Sequence, residues 1–341
     1  MDSSRASFES AYPRGFFLDP GKSDALQEYA RDRGWILPGE SLVSVTKAGE
    51  GNMNLTLRLK TTERSFILKQ ARPWVEKYPA IDAPAARARV EAGFYRAVAS
   101  RPALRAAMPA LQGHDPESGI LVLEDLGDAQ DLTRLYRGER LSGHDLEALV
   151  SYLAELHRPF AERESLFENR EMRALNHEHI FRLPLATENG LDLDRITPGL
   201  DAAAGELKED EAYVARVREL GALYLEDGPS LVHGDFFPGS WLRTDRGIRI
   251  IDPEFCFLGS AAFDLGVLLA HLHLSRHPPS LCDQAVGLYG EHARMDADFL
   301  ATARGFAGAE IMRRLIGVAQ LPLEAGLGEK RTLLALSKRL V

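Results

Sequence analysis

Two short acidic motifs on either side of a predicted β-hairpin constrain this chain more than any other feature. The tripeptide His-Gly-Asp occupies residues 233–235 after an apolar run, and Asp-Pro-Glu occupies residues 252–254 after another. Ser240 lies five positions after Asp235, and Asp252 lies 17 positions after it. Because a loop followed by a tight hairpin returns the chain on itself, we expect the two carboxylates to meet at one mouth.

Phosphoryl transfer needs this combination of side chains. One carboxylate, here Asp235, orients the attacking hydroxyl group and accepts its proton, while a second, here Asp252, holds Mg²⁺ against the nucleotide phosphates. A polar side chain such as Ser240 completes the ligands of the metal. Either tripeptide alone is equally well interpreted as a turn or the start of a loop. The ordered pair at this spacing favours the chemical interpretation.

The first third of the chain predicts a small β-rich lobe. A leader over residues 1–20 is expected to lie on the surface, and a helix is predicted over residues 23–33, with Ser23 as its N-cap and Gly34 as its stop. Residues 85–100, rich in Ala and Arg and with Glu91 among them, predict a second helix. Apolar and β-branched runs predict strands over residues 42–47, 54–60, 65–70 and 119–124.

The remainder of the chain predicts a larger, mainly helical lobe. Helical periodicity covers residues 146–156, 209–225 and 263–274, and one hairpin is predicted from residues 240–243 and 248–251. The sequence therefore predicts an α+β fold with two domains, a leader and nucleotide-binding lobe over residues 1–123 and a catalytic and substrate-binding lobe over residues 124–341. A cleft is expected at about residues 124–128.

Upstream features follow the order that a kinase needs. Gly49, Gly51, Asn52 and Asn54 lie in a turn between two predicted strands, where backbone N–H groups can cover phosphates, although a plain hairpin turn has the same pattern. Lys69 ends the next strand and can reach the phosphates. Glu91, 22 residues later on a predicted helix, can pair with Lys69. The strand that ends at residue 124 offers backbone groups to an adenine edge.

Composition narrows the partners and the compartment. The net charge of −9 argues against nucleic-acid or membrane partners, and two cysteines cannot build a disulfide framework. With no apolar run long enough to span a membrane and no signal-like N-terminus, the sequence predicts a cytoplasmic protein. The expected partner is a small-molecule alcohol, and the oligomeric state stays open, a homodimer included.

The motifs resemble those of protein-kinase-like phosphotransferases that act on small molecules, such as aminoglycoside phosphotransferases, choline kinases and homoserine kinases. Within this group the chain is most similar to the 5-methylthioribose kinases, over about residues 45–320. The matching segments are Gly-Glu-Gly-Asn-Met-Asn at 49–54, Lys-Gln-Ala at 69–71, Pro-Trp-Val at 73–75, Arg-Ala-Arg-Val-Glu-Ala at 87–92, Gly-Ser at 239–240, Asp-Pro-Glu-Phe at 252–255, Phe-Asp-Leu-Gly at 263–266 and Gly-Ala-Glu-Ile-Met-Arg-Arg at 308–314.

The chain departs from these families at three points. Ser240 stands where the wider group usually has Asn. The 5-methylthioribose kinases resemble this chain in having Ser at that position. Residues 76–81, Glu-Lys-Tyr-Pro-Ala-Ile, replace a Gly-x-x-Trp-Pro-Leu-Thr-like stretch that shapes the nucleotide and substrate site. The chain is also shorter than typical members. The last two departures bear on the identity of the sugar and leave the phosphoryl-transfer residues in place.

The resemblance implies a protein-kinase-like two-lobe fold and an enzyme that uses ATP and Mg²⁺. Asp235 would be the catalytic base, and Asp252 and Glu254 would hold Mg²⁺ with help from Ser240. The remaining implied roles are phosphate binding by Lys69, adenine binding by backbone groups of Glu124 and Leu126, and substrate binding by Arg313, Arg314 and His233.

The resulting prediction is a kinase that phosphorylates a hydroxyl of 5-methylthioribose or a related sugar. One alternative is a kinase of the same group for another small alcohol, such as an amino sugar, choline or homoserine. A second alternative is a nucleotide-binding module without transfer activity, against which the presence of Asp235, Asp252 and Lys69 argues.

Several other polar residues are better explained by structure than by chemistry. The pairs His177/His179 and His271/His273 have i, i+2 spacing, which does not place two ligands on one helix face, so packed histidines are expected there. Arg87 and Arg89 are interpreted as a solvated helix face. The segment 176–182 is assigned to loop packing, with the substrate mouth as the alternative. Asp264 is predicted to cap backbone amides of the loop that contains Asp235.

Overall fold

The computed structural model describes residues 3–49, 51, 53–160 and 165–341, and it divides into two compact units, Met1–Asp128 and Ala129–Val341. In the first unit, the described helices are α1 (Ser3–Ala11), α2 (Ser23–Asp32), α3 (Arg87–Ala99) and α4 (Pro102–Ala106). Its described strands are β1 (Leu42–Lys47), β2 (Leu55–Thr61), β3 (Ser65–Gln70), β4 (Trp74–Val75), β5 (Tyr78–Asp82), β6 (Leu111–Asp115) and β7 (Ile120–Glu124).

Five of these strands form an antiparallel sheet in the order β1-β2-β3-β7-β6. Alternate side chains of β2, including Leu57 and Leu59, are buried against α2, as the period of two along a strand requires. In the central strand β3, Lys69 lies opposite Thr56 of β2 and Leu121 of β7. The sheet therefore fixes the position of Lys69 from both sides.

The prediction of a surface leader is wrong. Phe8 is fully buried and packs with Tyr12 and Trp74, and Leu18 belongs to the core beneath the sheet. Buried Gln70 holds this segment, since its amide donates to the carbonyl of Phe16 (2.8 Å) and accepts from the backbone N–H of Leu18 (3.1 Å). The apolar residues of the leader are thus part of the first unit's interior.

The predicted helix at residues 23–33 is confirmed, but its cap is not. Helix α2 begins at Ser23 itself, after Lys22, whose side chain makes no capping hydrogen bond. The chain leaves the helix at Gly34, whose φ of +72° is a left-handed conformation that glycine adopts without strain. The sequence therefore predicts the end of α2 correctly and places its start one residue too late.

The second unit is mainly helical. Its described helices are α5 (Gly143–Leu156), α6 (Arg170–His177), α7 (Leu193–Ile196), α8 (Leu200–Lys208), α9 (Glu211–Leu225), α10 (Ala262–Leu274), α11 (Pro279–His292), α12 (Ala297–Ile316) and α13 (Leu327–Leu340). Its described strands are β8 (Gln130–Asp131), β9 (Ser230–Val232), β10 (Trp241–Thr244), β11 (Gly247–Ile250) and β12 (Phe257–Gly259).

Short strands in this unit carry both acidic motifs. The predicted hairpin is formed by β10 and β11, which pair from Trp241↔Ile250 to Thr244↔Gly247. Strand β9 leads into the loop with Asp235, and β12 follows Asp252 and pairs antiparallel with β9. Helices α10 and α12, both extensively buried, pack against each other. The second unit thereby brings the two motifs to adjacent backbone segments.

Candidate active site

The first candidate feature is a buried ion pair in the first unit. Lys69 Nζ lies 2.8 Å from Glu91 Oε1, which joins strand β3 to helix α3, and both side chains are almost fully buried. The pairing predicted from sequence is therefore confirmed. A strand lysine held by a helix glutamate is the arrangement that positions a phosphate-binding lysine in protein kinases.

The glycine-containing turn connects β1 and β2, as predicted. Gly49 has a φ of +72°, which a residue with a side chain rarely adopts, and Ala48 N–H donates to the carbonyl of Thr56 (2.9 Å) to begin the hairpin ladder. Gly51 is described and exposed, whereas predicted Asn52 lies outside the described residues. At Gly49 the backbone therefore has a left-handed conformation, and the covering of phosphates by this turn stays a prediction.

The interpretation of Arg87 as a solvated residue is wrong. Its guanidinium group is fully buried and donates to Asn54 Oδ1 (3.1 Å) and to the carbonyls of Met53 (3.0 Å) and Arg72 (2.7 Å). Arg89, two positions on, is exposed as predicted. Arg87 thus joins the start of α3 to the far end of the glycine-containing turn, and predicted Asn54 serves as one of its acceptors.

The predicted adenine-binding segment follows β7. The backbone N–H of Glu124 donates to the carbonyl of Ala110 (2.9 Å), and its carboxylate accepts from the N–H of Ala110 (3.2 Å). Leu126 is half-buried, and its backbone groups make no hydrogen bond within the described part of the chain. The backbone of Leu126 is therefore available to a ligand.

The loop that carries Asp235 is built by close backbone contacts. Gly234 has a φ of +85°, and a Cβ atom there would lie 2.1 Å from the carbonyl oxygen of Phe255. Asp264, near the start of α10, accepts from the backbone N–H groups of His233 (2.6 Å) and Gly234 (3.0 Å). The predicted cap by Asp264 is confirmed, and His157 Nε2, 3.1 Å from Asp264 Oδ2, holds the carboxylate from behind.

His233 is fully buried, and both ring nitrogens face the protein. Nε2 donates to the carbonyl of Ile251 (2.9 Å), and the backbone N–H of Asp235 points to Nδ1 (3.4 Å). Burial lowers the pKa of His233, while the carboxylates of Asp264, Asp235 and Asp252 act in the opposite direction. These surroundings favour a role in joining the Asp235 loop to the second motif, and contact of His233 with the substrate stays a prediction.

Asp235 is held by two arginines from α12. Arg313 and Arg314 each place a terminal nitrogen 2.9 Å from Oδ1 of Asp235, and the aspartate side chain keeps 21% of its exposure. Oδ2 accepts no hydrogen bond from the described residues. The guanidinium group of Arg314 also lies over the ring of Phe237, 4.6 Å from its centroid. The structure therefore brings three predicted site residues into direct contact.

The predicted metal-binding residues lie on neighbouring segments. Ser240 donates from Oγ to the carbonyl of Asp235 (3.2 Å), and the N–H of Ile251 donates to the carbonyl of Ser240 (3.0 Å). Asp252 follows with a φ of +61°, a strained conformation for a residue with a side chain, and Glu254 lies in the next short turn. The loop and the hairpin thus place Ser240 beside the residue that precedes Asp252.

These oxygen ligands fit Mg²⁺. Within the residues that the structure describes, no three His, Cys, Asp or Glu side chains are grouped so that they could hold a metal by themselves. Mg²⁺ commonly uses one or two carboxylates and takes its remaining ligands from substrate phosphates and water. Asp252, Glu254 and Ser240 would supply that protein share. Of the two histidines predicted to be packed on α10, His271 is fully buried, with Nε2 3.0 Å from Oε1 of Glu310, and His273 is half-buried.

Sequence reasoning missed the residues behind the arginine pair. Glu310 contacts both arginines, and His271 and Tyr136 follow it in a buried chain of hydrogen bonds. Asn176 accepts from Arg313 (3.2 Å) and donates to the carbonyl of Gly234 (3.3 Å), and it lies on helix α6 where a loop was expected. The i, i+3, i+4 spacing of Glu310 with the two arginines was a readable signal.

A cavity of about 560 Å³ lies elsewhere in the second unit. His157, Ser230 and Tyr289 contribute to its wall, and none of the predicted site residues that the structure describes does. Of the helices in the described part of the chain, none is long and apolar enough to cross a membrane.

Comparison with known proteins identifies the family of this chain. Residues 44–297 match the phosphotransferase enzyme family, and the chain therefore belongs to it. The methylthioribose kinase of Pectobacterium atrosepticum is 27% identical to this chain, with coverage of 94% of this chain and 93% of that enzyme. The methylthioribose kinase of Exiguobacterium sibiricum is 29% identical, with coverage of 87% and 84%.

Solved structures show the same fold. The spectinomycin phosphotransferase APH(9)-Ia, determined in complex with ADP and spectinomycin, has a TM-score of 0.55 at 13% identity and covers 95% of this chain and 100% of its own. The choline kinase LicA of Streptococcus pneumoniae has a TM-score of 0.52 at 13% identity, with coverage of 93% and 99%. The predicted α+β, protein-kinase-like fold is confirmed, as are the resemblance to methylthioribose kinases and the prediction of a phosphotransferase with an alcohol acceptor.

Proposed function

We propose that this chain transfers the γ-phosphoryl group of ATP to a hydroxyl of 5-methylthioribose or a closely related sugar, in the presence of Mg²⁺. The observation that carries the proposal is the state of Asp235. Two arginines hold Oδ1, and Oδ2 accepts no hydrogen bond from any described residue. A carboxylate fixed by one oxygen can use the other to orient a hydroxyl and accept its proton.

In this proposal Asp235 Oδ2 accepts the hydroxyl proton as the acceptor oxygen bonds to the γ-phosphorus. The bond between that phosphorus and the oxygen bridging to the β-phosphorus breaks, and ADP leaves. Arg313 and Arg314 stabilise the charge of the transferring group, and Lys69 binds the phosphates. Asp252, Glu254 and Ser240 would hold Mg²⁺, which when bound supplies positive charge against the β- and γ-phosphate oxygens.

Nucleotide recognition is assigned to the first unit. The glycine-containing turn, with Gly49, Gly51, Asn52 and Asn54, would cover the phosphates. The carbonyl of Glu124 and the N–H of Leu126 would bind adenine, which is supported by the absence of other described partners for the backbone of Leu126. Glu91 would act by holding Lys69.

The arginine pair also bears on the choice of acceptor. Choline and amino sugars are cations, and the group formed by Asp235, Glu310, Arg313 and Arg314 has no net negative charge to attract them. A neutral sugar needs no such attraction, and the similarity to methylthioribose kinases over 94% of the chain favours 5-methylthioribose among neutral sugars. Homoserine carries a carboxylate that an arginine can bind, so it is the second candidate acceptor.

The test is ADP release with a panel of acceptors: 5-methylthioribose, ribose, homoserine, choline and an amino sugar. We expect the highest kcat/KM with 5-methylthioribose, and release that requires Mg²⁺. Faster turnover with homoserine would replace the sugar by the second candidate. Turnover with none of the five would refute the proposed function.

The role of Asp235 is tested by Asp235→Asn, which should lower kcat by about 10²–10⁴-fold because the base is lost. Asp245→Asn is the matched control, since Asp245 lies in the exposed turn of the β10–β11 hairpin with 92% of its side chain exposed. Full activity of Asp235→Asn would refute the assignment of the base.

A further inference from the structure

Glu310 lies behind the arginine pair on the same face of α12. Its Oε1 accepts from Nε of Arg314 (2.7 Å), and its Oε2 lies 2.6 Å from Nε of Arg313 in an ion pair without hydrogen-bond geometry. All three residues are at least 94% buried. Because they are spaced i, i+3 and i+4 along the helix, one carboxylate reaches both guanidinium groups.

Each arginine is therefore held at two ends. The Nε atom of each faces Glu310, and a terminal nitrogen of each faces Oδ1 of Asp235 at 2.9 Å. The two carboxylates and two guanidinium groups have a net charge of zero. Burial alone would raise the pKa of Glu310, but Arg313 and Arg314 outweigh it and hold the pKa well below its usual range.

Glu310 is itself fixed from behind. His271 Nε2 lies 3.0 Å from Oε1 of Glu310, and the hydroxyl of Tyr136 lies 2.7 Å from Nδ1 of His271. Burial lowers the pKa of His271 to about 4, so the ring is neutral near pH 7. Since a carboxylate only accepts, Nε2 carries the proton and donates to Glu310, and Nδ1 accepts from Tyr136.

We propose that Glu310 is a positioning residue for phosphoryl transfer, which acts through Arg313 and Arg314 to fix the orientation of Asp235. Glu310 orients the arginines, the arginines occupy Oδ1, and Oδ2 is left directed at the acceptor hydroxyl. The inference rests on the proposed role of Asp235 as the base, and it assigns a function to three buried groups, Glu310, His271 and Tyr136, that the reaction does not otherwise use.

The test is Glu310→Gln, with kcat and KM measured separately. The amide keeps the size of the carboxylate but loses its charge and one of its two acceptors, so the arginines lose their common anchor. We expect kcat to fall about 100-fold, because a small misplacement of the reacting groups can slow a reaction by this factor. The KM for ATP should change by less than about threefold, because the nucleotide-binding residues are assigned to the first unit. Glu329→Gln, which breaks an exposed pair with Arg276, is the matched control and should keep full activity.

A double-mutant cycle separates positioning from general damage. Arg314→Gln and the double variant Glu310→Gln/Arg314→Gln complete the cycle, and the double variant also restores the balance of charge that each single variant upsets. If Glu310 acts through the arginines, its substitution lowers kcat much less in the Arg314→Gln background than in the wild type. Equal fold losses in both backgrounds would overturn the proposal.

A milder variant covers the case in which Glu310→Gln does not fold. Tyr136→Phe removes one hydroxyl at the far end of the chain of hydrogen bonds and keeps every charge, and it should lower kcat by about three- to tenfold with KM unchanged. Unchanged kcat in both Tyr136→Phe and a folded Glu310→Gln would overturn the inference. Asp235→Asn, measured beside them, separates the two claims, since its full activity would refute the proposed function instead.

Discussion

The carboxylate of Asp264 accepts a hydrogen bond of 2.6 Å from the backbone N–H of His233. The same carboxylate accepts from Gly234 and contacts His157, whose Nδ1 meets the hydroxyl of Tyr289 at 2.8 Å. A fully buried charge satisfied by two backbone N–H groups is a strong restraint, since hydrogen bonds to a charged group are about twice as strong as neutral ones. The conformation of the Asp235 loop therefore depends on a residue 29 positions further along the chain.

Asp264→Asn should lower kcat by about 10–100-fold and leave the KM for ATP nearly unchanged. The amide has only one oxygen to accept from His233 and Gly234, and it presents an NH₂ group to one of these donors, so the loop loses its fixed geometry. Steady-state kinetics with a saturating acceptor measures the effect. Asp283→Asn, an exposed position on α11, is the matched control. Wild-type kcat in Asp264→Asn would show that the loop keeps its conformation without the charge.

The Lys69–Glu91 pair makes a second prediction, in which stability and turnover separate. Lys69→Met alone should destabilise the protein by roughly 3–5 kcal/mol, because it removes the cation that is paired with the buried carboxylate of Glu91. Lys69→Met combined with Glu91→Gln removes both charges and should recover most of that stability. The double variant should still lose about 10²-fold or more in kcat/KM for ATP, since no cation replaces Lys69 at the phosphates. Denaturant unfolding and initial rates measure the two properties, and a double variant with wild-type turnover would exclude Lys69 from catalysis.

Local sequence patterns were sufficient to predict most of the fold and the order of the site residues along the chain. The strands at Leu42–Lys47 and Ser65–Gln70 were predicted to the residue, because alternating apolar and β-branched residues specify a strand by themselves. The pairing of Lys69 with Glu91 followed from the order of a strand and a helix. These features depend on neighbours in sequence or on a known succession of elements, both of which a single sequence contains.

The errors concern buried polar residues whose partners are distant in sequence. Arg87 looks like a surface charge until Met53 and Asn54, more than 30 positions away, are placed around it. Gln70 holds the leader at Phe16 and Leu18 by the same kind of contact. A long polar side chain is solvated by default, and only the tertiary structure shows that backbone carbonyls have replaced the water.

Arg87→Lys should weaken the binding of ATP more than it slows the chemical step. Lysine cannot reproduce the fork that donates to Asn54 and to several backbone carbonyls at once, so the far end of the glycine-containing turn loses its anchor. We expect the KM for ATP to rise about tenfold with a smaller change in kcat. Arg89→Lys is the matched control, because the guanidinium group two positions away is exposed and makes no such contacts with the described residues. Equal KM values for ATP in the two variants would show that Arg87 does not support nucleotide binding.

The burial of His271 should make the unfolding free energy of the protein depend on pH. Burial lowers its pKa in the folded protein to about 4, compared with 6.5 in the unfolded chain. Between these values the unfolded state binds a proton that the folded state does not, so stability is present above pH 6.5 and is lost as the pH falls towards 4. This one group should cost about 2 kcal/mol of unfolding free energy between pH 7 and pH 5. His271→Gln can still donate to Glu310 and accept from Tyr136, but it does not titrate. Denaturant unfolding at pH 7 and pH 5 should therefore show a drop in its unfolding free energy that is smaller than the wild-type drop by that amount. The exposed His144→Gln variant should keep the wild-type drop, and a His271→Gln protein with the same drop as His144→Gln would show that His271 is not the group that titrates.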